Sequence, residues 1–171
     1  MKIYLDAMGG DNAPEAPVAG ALEALGMYPE LEIELAGPID TVTETVERVF
    51  ASSPLRSRLT LTDCPEIITN CEAPVMAVRK KKQSAIVDGM LKLRDGLVDA
   101  FVSAGSTGAV LAGGMFRLGR IKGIDRPALA PLKSRLQEVR WHIFLTILVE
   151  YARCILQRRR QPLALIKRCR Q

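Results

Sequence analysis

Two hydrophobic periodicities alternate along residues 1–131. Short stretches in which every second residue is apolar, such as Ile3 and Leu5, predict β-strands. Longer stretches with apolar residues three and four positions apart, such as Val18, Leu22 and Leu25, predict amphipathic helices. The predicted strands cover residues 2–6, 31–35, 59–61 and 99–103, and the predicted helices cover residues 14–26, 40–50, 74–82, 84–91 and 107–118.

The alternation of strands with helices of about 10 to 15 residues is typical of a parallel sheet, because parallel neighbours need crossover connections. We therefore predict an α/β doubly wound fold, an α/β/α sandwich with a mainly parallel sheet. Asp40 and Ser84 are the predicted N-caps of two of its helices. Ligands bind beyond the carboxyl ends of the strands in such sheets, so the loops after Asp6 and Ser103 are the expected places for chemistry.

The composition favours a compact globular protein. Of the 171 residues, 48% are hydrophobic and 25% charged, which excludes disordered and collagen-like chains. The sequence lacks an apolar run of the roughly 18 residues that a spanning helix needs, and residues 1–5 lack the pattern of a secretory signal, so we expect a cytoplasmic protein. Its cysteines show no C-x-x-C spacing and are expected to be free thiols: Cys64, Cys71, Cys154 and Cys169.

The net charge of +5 is distributed unevenly. Residues 1–131 hold 14 Lys/Arg and 17 Asp/Glu, whereas residues 132–171 hold 10 and 2. All 13 glycines also lie in the first segment, so the composition indicates a boundary near residue 131. Aromatic residues make up only 5% of the chain, which argues against a nucleic-acid partner bound by base stacking.

The loop after the first predicted strand is the first candidate site. It reads Asp-Ala-Met-Gly-Gly-Asp-Asn-Ala-Pro over residues 6–14. The paired Gly9 and Gly10 allow the backbone to turn sharply and approach a ligand, and the following helix offers unpaired N–H groups to an anion. The acids Asp6 and Asp11 would repel a phosphate unless they orient a cation, a base or a hydroxyl group. A well-capped turn without a ligand is the alternative.

The loop after Ser103 is the second candidate. It reads Ser-Ala-Gly-Ser-Thr-Gly over residues 103–108, and its small side chains leave room for a phosphate oxygen to meet consecutive N–H groups. The spacing matches neither the dinucleotide-binding nor the P-loop motif, so ATP and NAD are not indicated and no cofactor is expected. A tight packing turn is the alternative explanation.

The third candidate is the basic run Arg79, Lys80, Lys81 and Lys82. Four successive cations on a helix point in different directions, so this run is either a solvated surface or a binding surface for an anionic partner. The only histidine, His142, has no Ser or Cys partner at a recognisable spacing, which argues against a Ser-His-Asp site. We predict no metal site.

Four segments in this order resemble the bacterial phosphate acyltransferases of phospholipid synthesis. They are residues 6–11 (DAMGGD), 73–82 (APVMAVRKKK), 102–109 (VSAGSTGA) and 120–130 (RIKGIDRPALA). The resemblance implies an enzyme that converts acyl-acyl-carrier-protein and orthophosphate into acyl phosphate. It also implies a fold similar to phosphotransacetylases and isopropylmalate dehydrogenases, a homodimer, and peripheral association with the cytoplasmic membrane.

Under this resemblance the two glycine loops are expected to hold phosphate and the thioester carbonyl, and Asp11 or Asn12 to act as the catalytic residue that orients them. The expected binding residues are Gly9, Gly10, Ser103, Gly105, Ser106, Thr107 and Gly108. The basic run Arg79–Lys82 is the expected docking surface for the acidic carrier protein, by charge complementarity.

The resemblance ends after Pro131. We therefore predict two segments: residues 1–131, the N-terminal part of a phosphate acyltransferase domain, and residues 132–171, an anomalous basic tail. The loss of Gly, Asp and Asn in the tail indicates a shifted reading frame or a truncated gene model, with a genuine divergent tail as the alternative. On this reading the fold is incomplete, and the chain alone is expected to be inactive.

Two other functions are also compatible with the sequence. A phosphotransacetylase-like or nucleotide-binding enzyme shares the α/β scaffold, and the scaffold alone does not separate them. A non-enzymatic binder of membrane surfaces or nucleic acid would depend wholly on residues 132–171, where residues 141–156 are apolar enough for an interfacial helix but too short to span a bilayer.

Overall fold

The computed structural model describes residues 1–51 and 53–119 of the chain. Several sequence predictions therefore lie outside the described residues. These are the domain boundary at residue 131, the segment 120–130, the tail 132–171 with its apolar stretch 141–156, and the thiols Cys154 and Cys169.

The centre of the fold is a four-stranded parallel sheet with the order β3-β2-β1-β4. Its strands are β1 (Lys2–Asp6), β2 (Glu32–Gly37), β3 (Leu59–Asp63) and β4 (Ala100–Val102). In register, Ile3 of β1 lies between Ile33 of β2 and Ala100 of β4. The chain therefore runs from β1 outwards through β2 to β3, and then crosses back to add β4 on the other side of β1.

Helices cover both faces of this sheet. Their bounds are α1 (Glu15–Met27), α2 (Ile39–Phe50), α3 (Pro74–Lys80), α4 (Ala85–Asp95) and α5 (Thr107–Gly113). A 3-10 helix (Pro54–Arg58) precedes β3, and a π-helical turn (Gly114–Leu118) follows α5. This architecture confirms the predicted doubly wound α/β/α fold within the described residues.

The two faces of the sheet are built differently. Helices α1 and α2 pack their apolar stripes, which include Val18, Leu25 and Val46, on Ile33 and Leu35. On the opposite face α4 approaches the sheet at Gly89, where an added Cβ atom would lie 2.4 Å from the Phe101 ring and 2.7 Å from Tyr4. The missing side chain of Gly89 thus lets α4 pack directly on β1 and β4.

Several helix ends differ from the sequence prediction; α4, for example, continues to Asp95, and α5 ends at Gly113. Asp40 is not the N-cap of α2, because the helix begins at Ile39, whose N–H donates to the Asp63 carboxylate at 3.1 Å. Helix α3 ends at Lys80, not at Lys82. The prediction for Ser84 is correct, since its hydroxyl oxygen accepts a hydrogen bond from the Val87 N–H at the start of α4.

None of the helices within the described residues is long and apolar enough to cross a membrane.

Candidate functional site

The candidate site lies where the direction of the chain through the sheet reverses, between β1 and β4. The strand β1 leads into residues 7–13, the first loop, and β4 leads into residues 103–106, the second loop. Neighbouring parallel strands whose connections diverge to opposite sides leave a crevice at their carboxyl ends, and ligands of α/β proteins bind there. The two loops singled out by their small residues are the two that border this crevice.

The two loops are in direct backbone contact. A Cβ atom on Gly9 would lie 2.7 Å from the Gly105 nitrogen and 2.9 Å from the Ser103 hydroxyl oxygen, so only glycine permits this approach. Gly10 has a φ of +99°, which side chains rarely tolerate, and it faces Ala104. Larger side chains at Gly9 and Gly10 would therefore prevent the close approach of the two loops.

Asp6, the last residue of β1, links the two loops through hydrogen bonds of its side chain. Asp6 is 5% exposed, and its two carboxylate oxygens accept the Met8 N–H at 3.0 Å and the Ser103 hydroxyl at 2.8 Å. The Ser103 oxygen in turn accepts the Gly105 N–H at 3.1 Å. Burial raises the pKa of the Asp6 carboxyl above its usual range, and the hydrogen bonds from Ser103 and Met8 offset part of that rise. A single carboxylate therefore connects both loops.

Asp6 begins the first predicted loop but is not among the expected site residues. Its position as the last residue of β1 was the available signal, since the carboxyl ends of parallel strands face the ligand crevice. What the sequence did not show was its partner Ser103, which lies 97 residues further along the chain.

The expected site residues fall into two groups. Gly9, Gly10, Ser103 and Gly105 come together at the junction of the loops. Asp11 and Asn12 lie on the exposed part of the first loop, before α1.

The remaining residues of the second motif belong to helix α5. The buried Ser106 is its N-cap, with the hydroxyl oxygen accepting the Ala109 N–H at 3.3 Å, and Thr107 is its exposed first residue. A Cβ atom on Gly108 would lie 2.7 Å from Cγ of Pro74, so this glycine is needed for the packing of α5 on α3. The packing alternative thus accounts for the second glycine of the motif.

The cations of the basic run differ in their contacts. The Arg79 guanidinium lies over the Phe116 ring, 5.4 Å from its centre. Lys81 bonds to the Glu72 carboxylate at 2.7 Å and to the Ile67 carbonyl oxygen at 2.6 Å. The hydrogen bond from Lys81 holds the pKa of Glu72 at about 2. Lys81 is therefore neutralised locally, and the exposed cations of the run are Arg79, Lys80 and Lys82.

A narrow cleft, with room for about one water molecule, extends from Asp6 along the carboxyl ends of β2 and β3. Cys64 lines it as a buried free thiol, and burial raises its pKa to about 11 although the hydrogen bond with Tyr4 acts in the opposite direction. A thiol with this pKa is a poor nucleophile at neutral pH. Cys71 is also a free thiol, so the prediction is confirmed for both cysteines of the described residues.

Comparison with known proteins relates the chain to a family. The sequence model of the family described as fatty acid synthesis protein matches residues 1–145. A phosphate acyltransferase of Thermoanaerobacter pseudethanolicus is 50% identical over 136 residues, which cover 80% of this chain and 39% of that protein.

Two further relatives carry the same name. The phosphate acyltransferase of Clostridium beijerinckii is 46% identical over 132 residues, and that of Limosilactobacillus reuteri is 46% identical over the same number. These matches cover 39% and 36% of the relatives, so the chain spans less than two fifths of the length of the curated relatives it matches.

Proposed function

The chain belongs to the fatty acid synthesis protein family, and from this membership we propose that it is an acyltransferase that forms acyl phosphate from acyl-acyl-carrier-protein and orthophosphate. The relatives named phosphate acyltransferase support this reaction. The observation that carries the proposal within the described residues is the contact between the first and second loops at the crevice between β1 and β4.

The proposed reaction needs no nucleophile from the protein. An oxygen of orthophosphate attacks the thioester carbonyl carbon, the new C–O bond forms, the C–S bond breaks, and the thiol of the carrier leaves with a proton. The protein has to hold phosphate beside the thioester and to stabilise the negative charge that grows on the carbonyl oxygen. Backbone N–H groups in loops of small residues suit both tasks, because they bring no charge and little bulk.

We assign the binding of phosphate and of the thioester carbonyl to the two loops. Gly9, Gly10, Ser103 and Gly105 support this assignment by their proximity to each other. Ser106 and Thr107 contribute through the start of α5, which follows the second loop without interruption, and Gly108 serves the packing of that helix on α3. The exposed Asp11 and Asn12 are the proposed groups that orient the two substrates.

The test is the formation of acyl phosphate. The whole chain is mixed with long-chain acyl-acyl-carrier-protein and labelled orthophosphate, and acyl phosphate is measured. Gly105→Ala places a methyl group 3.2 Å from the Ser103 oxygen and 3.4 Å from Gly9 Cα. Because that methyl group fills the space between the loops, we expect a loss of rate of about tenfold or more.

Gly20→Ala is the matched control, since apart from its chain neighbours and the backbone of its own helix no atom lies within 4 Å of the added methyl group. Unchanged turnover in Gly105→Ala contradicts the assignment of the loops. No acyl phosphate from the unmodified chain contradicts the proposed activity for this chain and agrees with the expectation that the chain alone is inactive. Acetyl phosphate formed from acetyl-CoA in place of long-chain acyl phosphate would favour the phosphotransacetylase-like alternative.

We further propose that the acidic carrier protein docks on the exposed part of the basic run. Arg79 and Lys80 lie at the end of α3, next to the exposed Phe116 and Met76, so cations and apolar surface occur together. Such a surface attracts an acidic partner at long range and offers apolar contact at short range. Lys81 is not part of this surface, because Glu72 neutralises it.

Charge reversal tests this docking surface. Arg79→Glu with Lys80→Glu is expected to weaken binding of acyl-carrier-protein about tenfold at low salt, with a smaller effect at high salt. Arg94→Glu is the control, because Arg94 is exposed at the end of α4 and paired with Asp95. Equal affinity of both variants at low salt refutes the assignment.

We further propose that the protein is a cytoplasmic homodimer that associates peripherally with the membrane. These three properties are carried over from the resemblance of the sequence motifs. Analytical ultracentrifugation of the chain and its flotation with anionic vesicles test the first and the third.

A further inference from the structure

The Asp6 carboxylate occupies an unusual place for a site that receives an anion. It lies at the junction of the two loops and is 5% exposed. A Cβ atom on Gly105 would lie 3.7 Å from its Oδ2, so the bare backbone of Gly105 brings the second loop next to the carboxylate. No Lys, Arg or His of the described residues forms an ion pair with it.

The carboxylate keeps capacity to accept further hydrogen bonds. Oδ1 accepts the Met8 N–H and Oδ2 accepts the Ser103 hydroxyl. Each carboxylate oxygen has two lone pairs, so one more donor can approach each of them. Asp6 also lines the narrow cleft at the end of β2, so packed backbone does not cover all of its surface.

A buried, unpaired carboxylate discriminates between anions by their protons. It repels an anion that carries no proton, because two negative groups meet in a poorly solvated place. Orthophosphate at neutral pH retains at least one proton and can donate a hydrogen bond to the carboxylate. Sulfate has the same tetrahedral shape but retains no proton at that pH.

We propose that Asp6 determines the specificity of this site by accepting a hydrogen bond from the hydroxyl group of orthophosphate, so that fully deprotonated tetrahedral anions are rejected. The Met8 N–H and the Ser103 hydroxyl hold the carboxylate in place for this contact. The inference rests on the proposed function, which assigns phosphate to the two loops.

The first test uses the unmodified chain at pH 7 and constant ionic strength. Phosphate and arsenate, which keep a proton, are compared with sulfate and selenate, which do not. Binding is followed through the ¹⁵N amide signals of Gly9, Gly10 and Gly105. We expect sulfate and selenate to bind at least about tenfold more weakly, because a site built to pair with a ligand hydroxyl rejects analogues without it.

The second test removes the charge with little change of shape. In Asp6→Asn, the side-chain oxygen can still accept the Met8 N–H, while the amide N–H₂ group becomes a donor. We expect sulfate to bind within about twofold of phosphate in this variant. Asp40→Asn removes an exposed carboxylate in the first turn of α2 and is expected to keep the selectivity of the unmodified chain.

The outcomes separate this inference from the proposed function. The role of Asp6 is overturned if the unmodified chain binds phosphate and sulfate equally, or if Asp6→Asn keeps the selectivity of the unmodified chain. Neither result contradicts the proposed phosphate site. The absence of shifts with every anion overturns both. If Asp6→Asn fails to fold, equal binding of arsenate and sulfate by the unmodified chain still overturns the role of Asp6.

Discussion

Among the glycines where the two loops meet, Gly9 has the tightest steric requirement. An added Cβ atom would lie 2.7 Å from a backbone nitrogen of the second loop, and backbone cannot move aside as the end of a flexible side chain can. We expect Gly9→Ala to destabilise the fold by about 1–3 kcal/mol, the usual cost of overpacking, as measured by urea unfolding.

Gly20→Ala is the control for this measurement. Gly20 lies within α1 on its exposed side, and nothing is within 4 Å of an added Cβ atom. Alanine is the better helix former, so we expect this variant to gain about 0.5–1 kcal/mol. If the Gly9→Ala variant is as stable as the unmodified chain, the two loops do not touch in solution.

At the scale of elements, one carboxylate joins three strands and a helix on the α4 face of the sheet. Glu34 of β2 is 4% exposed and bonds, each at 2.6 Å, to Lys2 of β1, Thr62 of β3 and Lys92 of α4. Burial acts to raise the pKa of Glu34, but the hydrogen bonds from these three partners outweigh it and lower the pKa to about 2.

This pKa predicts an acid-dependent part of the stability. The value of about 2 lies below the ordinary 4.5, so Glu34 stabilises the fold above pH 4.5 and this contribution is lost as the pH falls towards 2. Glu34→Gln should lose about 1–3 kcal/mol at pH 7, since two lysines lose a charged partner. Its stability should also fall less between pH 4.5 and 2.

Glu32→Gln provides the comparison, because Glu32 lies on the same strand with an exposed side chain. Urea unfolding at several pH values should show the full acid dependence in that variant. Identical pH profiles for Glu34→Gln and the unmodified chain would contradict the role of the buried carboxylate.

At the scale of the whole molecule, the candidate site exists only in the folded chain. Asp6 and Ser103, which hold the loops together, are 97 residues apart in sequence. A phosphate that binds both loops therefore binds the folded state alone and raises its stability. At a phosphate concentration of about 100 times Kd, we expect a gain of about 2.7 kcal/mol in the free energy of unfolding.

Urea unfolding in phosphate and in chloride of equal ionic strength measures this gain. Gly105→Ala should show no gain, because its methyl group fills the space between the loops. A phosphate effect that chloride reproduces would indicate ionic strength and not a site.

The fold could be predicted from the sequence because its signals are local. Alternating apolar residues in β1 and helical spacing in α1 depend on neighbours a few positions away, as does the N-cap at Ser84. The N-terminus of α2 was predicted incorrectly because its capping carboxylate comes from Asp63, at the end of another strand. The different contacts of Lys81 and Arg79 in the basic run were not predictable for the same reason, since their partners Glu72 and Phe116 lie elsewhere in the sequence.

Local patterns along the chain are enough to predict the parallel α/β architecture, the two loops of small residues, and the family. Which residues of those loops meet follows from the folded structure alone. It joined Gly9 to Gly105, assigned Gly108 to helix packing, and set Asp6 beneath both loops. The physical reason is that periodicity and turn chemistry act over a few residues, whereas a shared carboxylate or a missing Cβ atom acts between segments that only the sheet brings together.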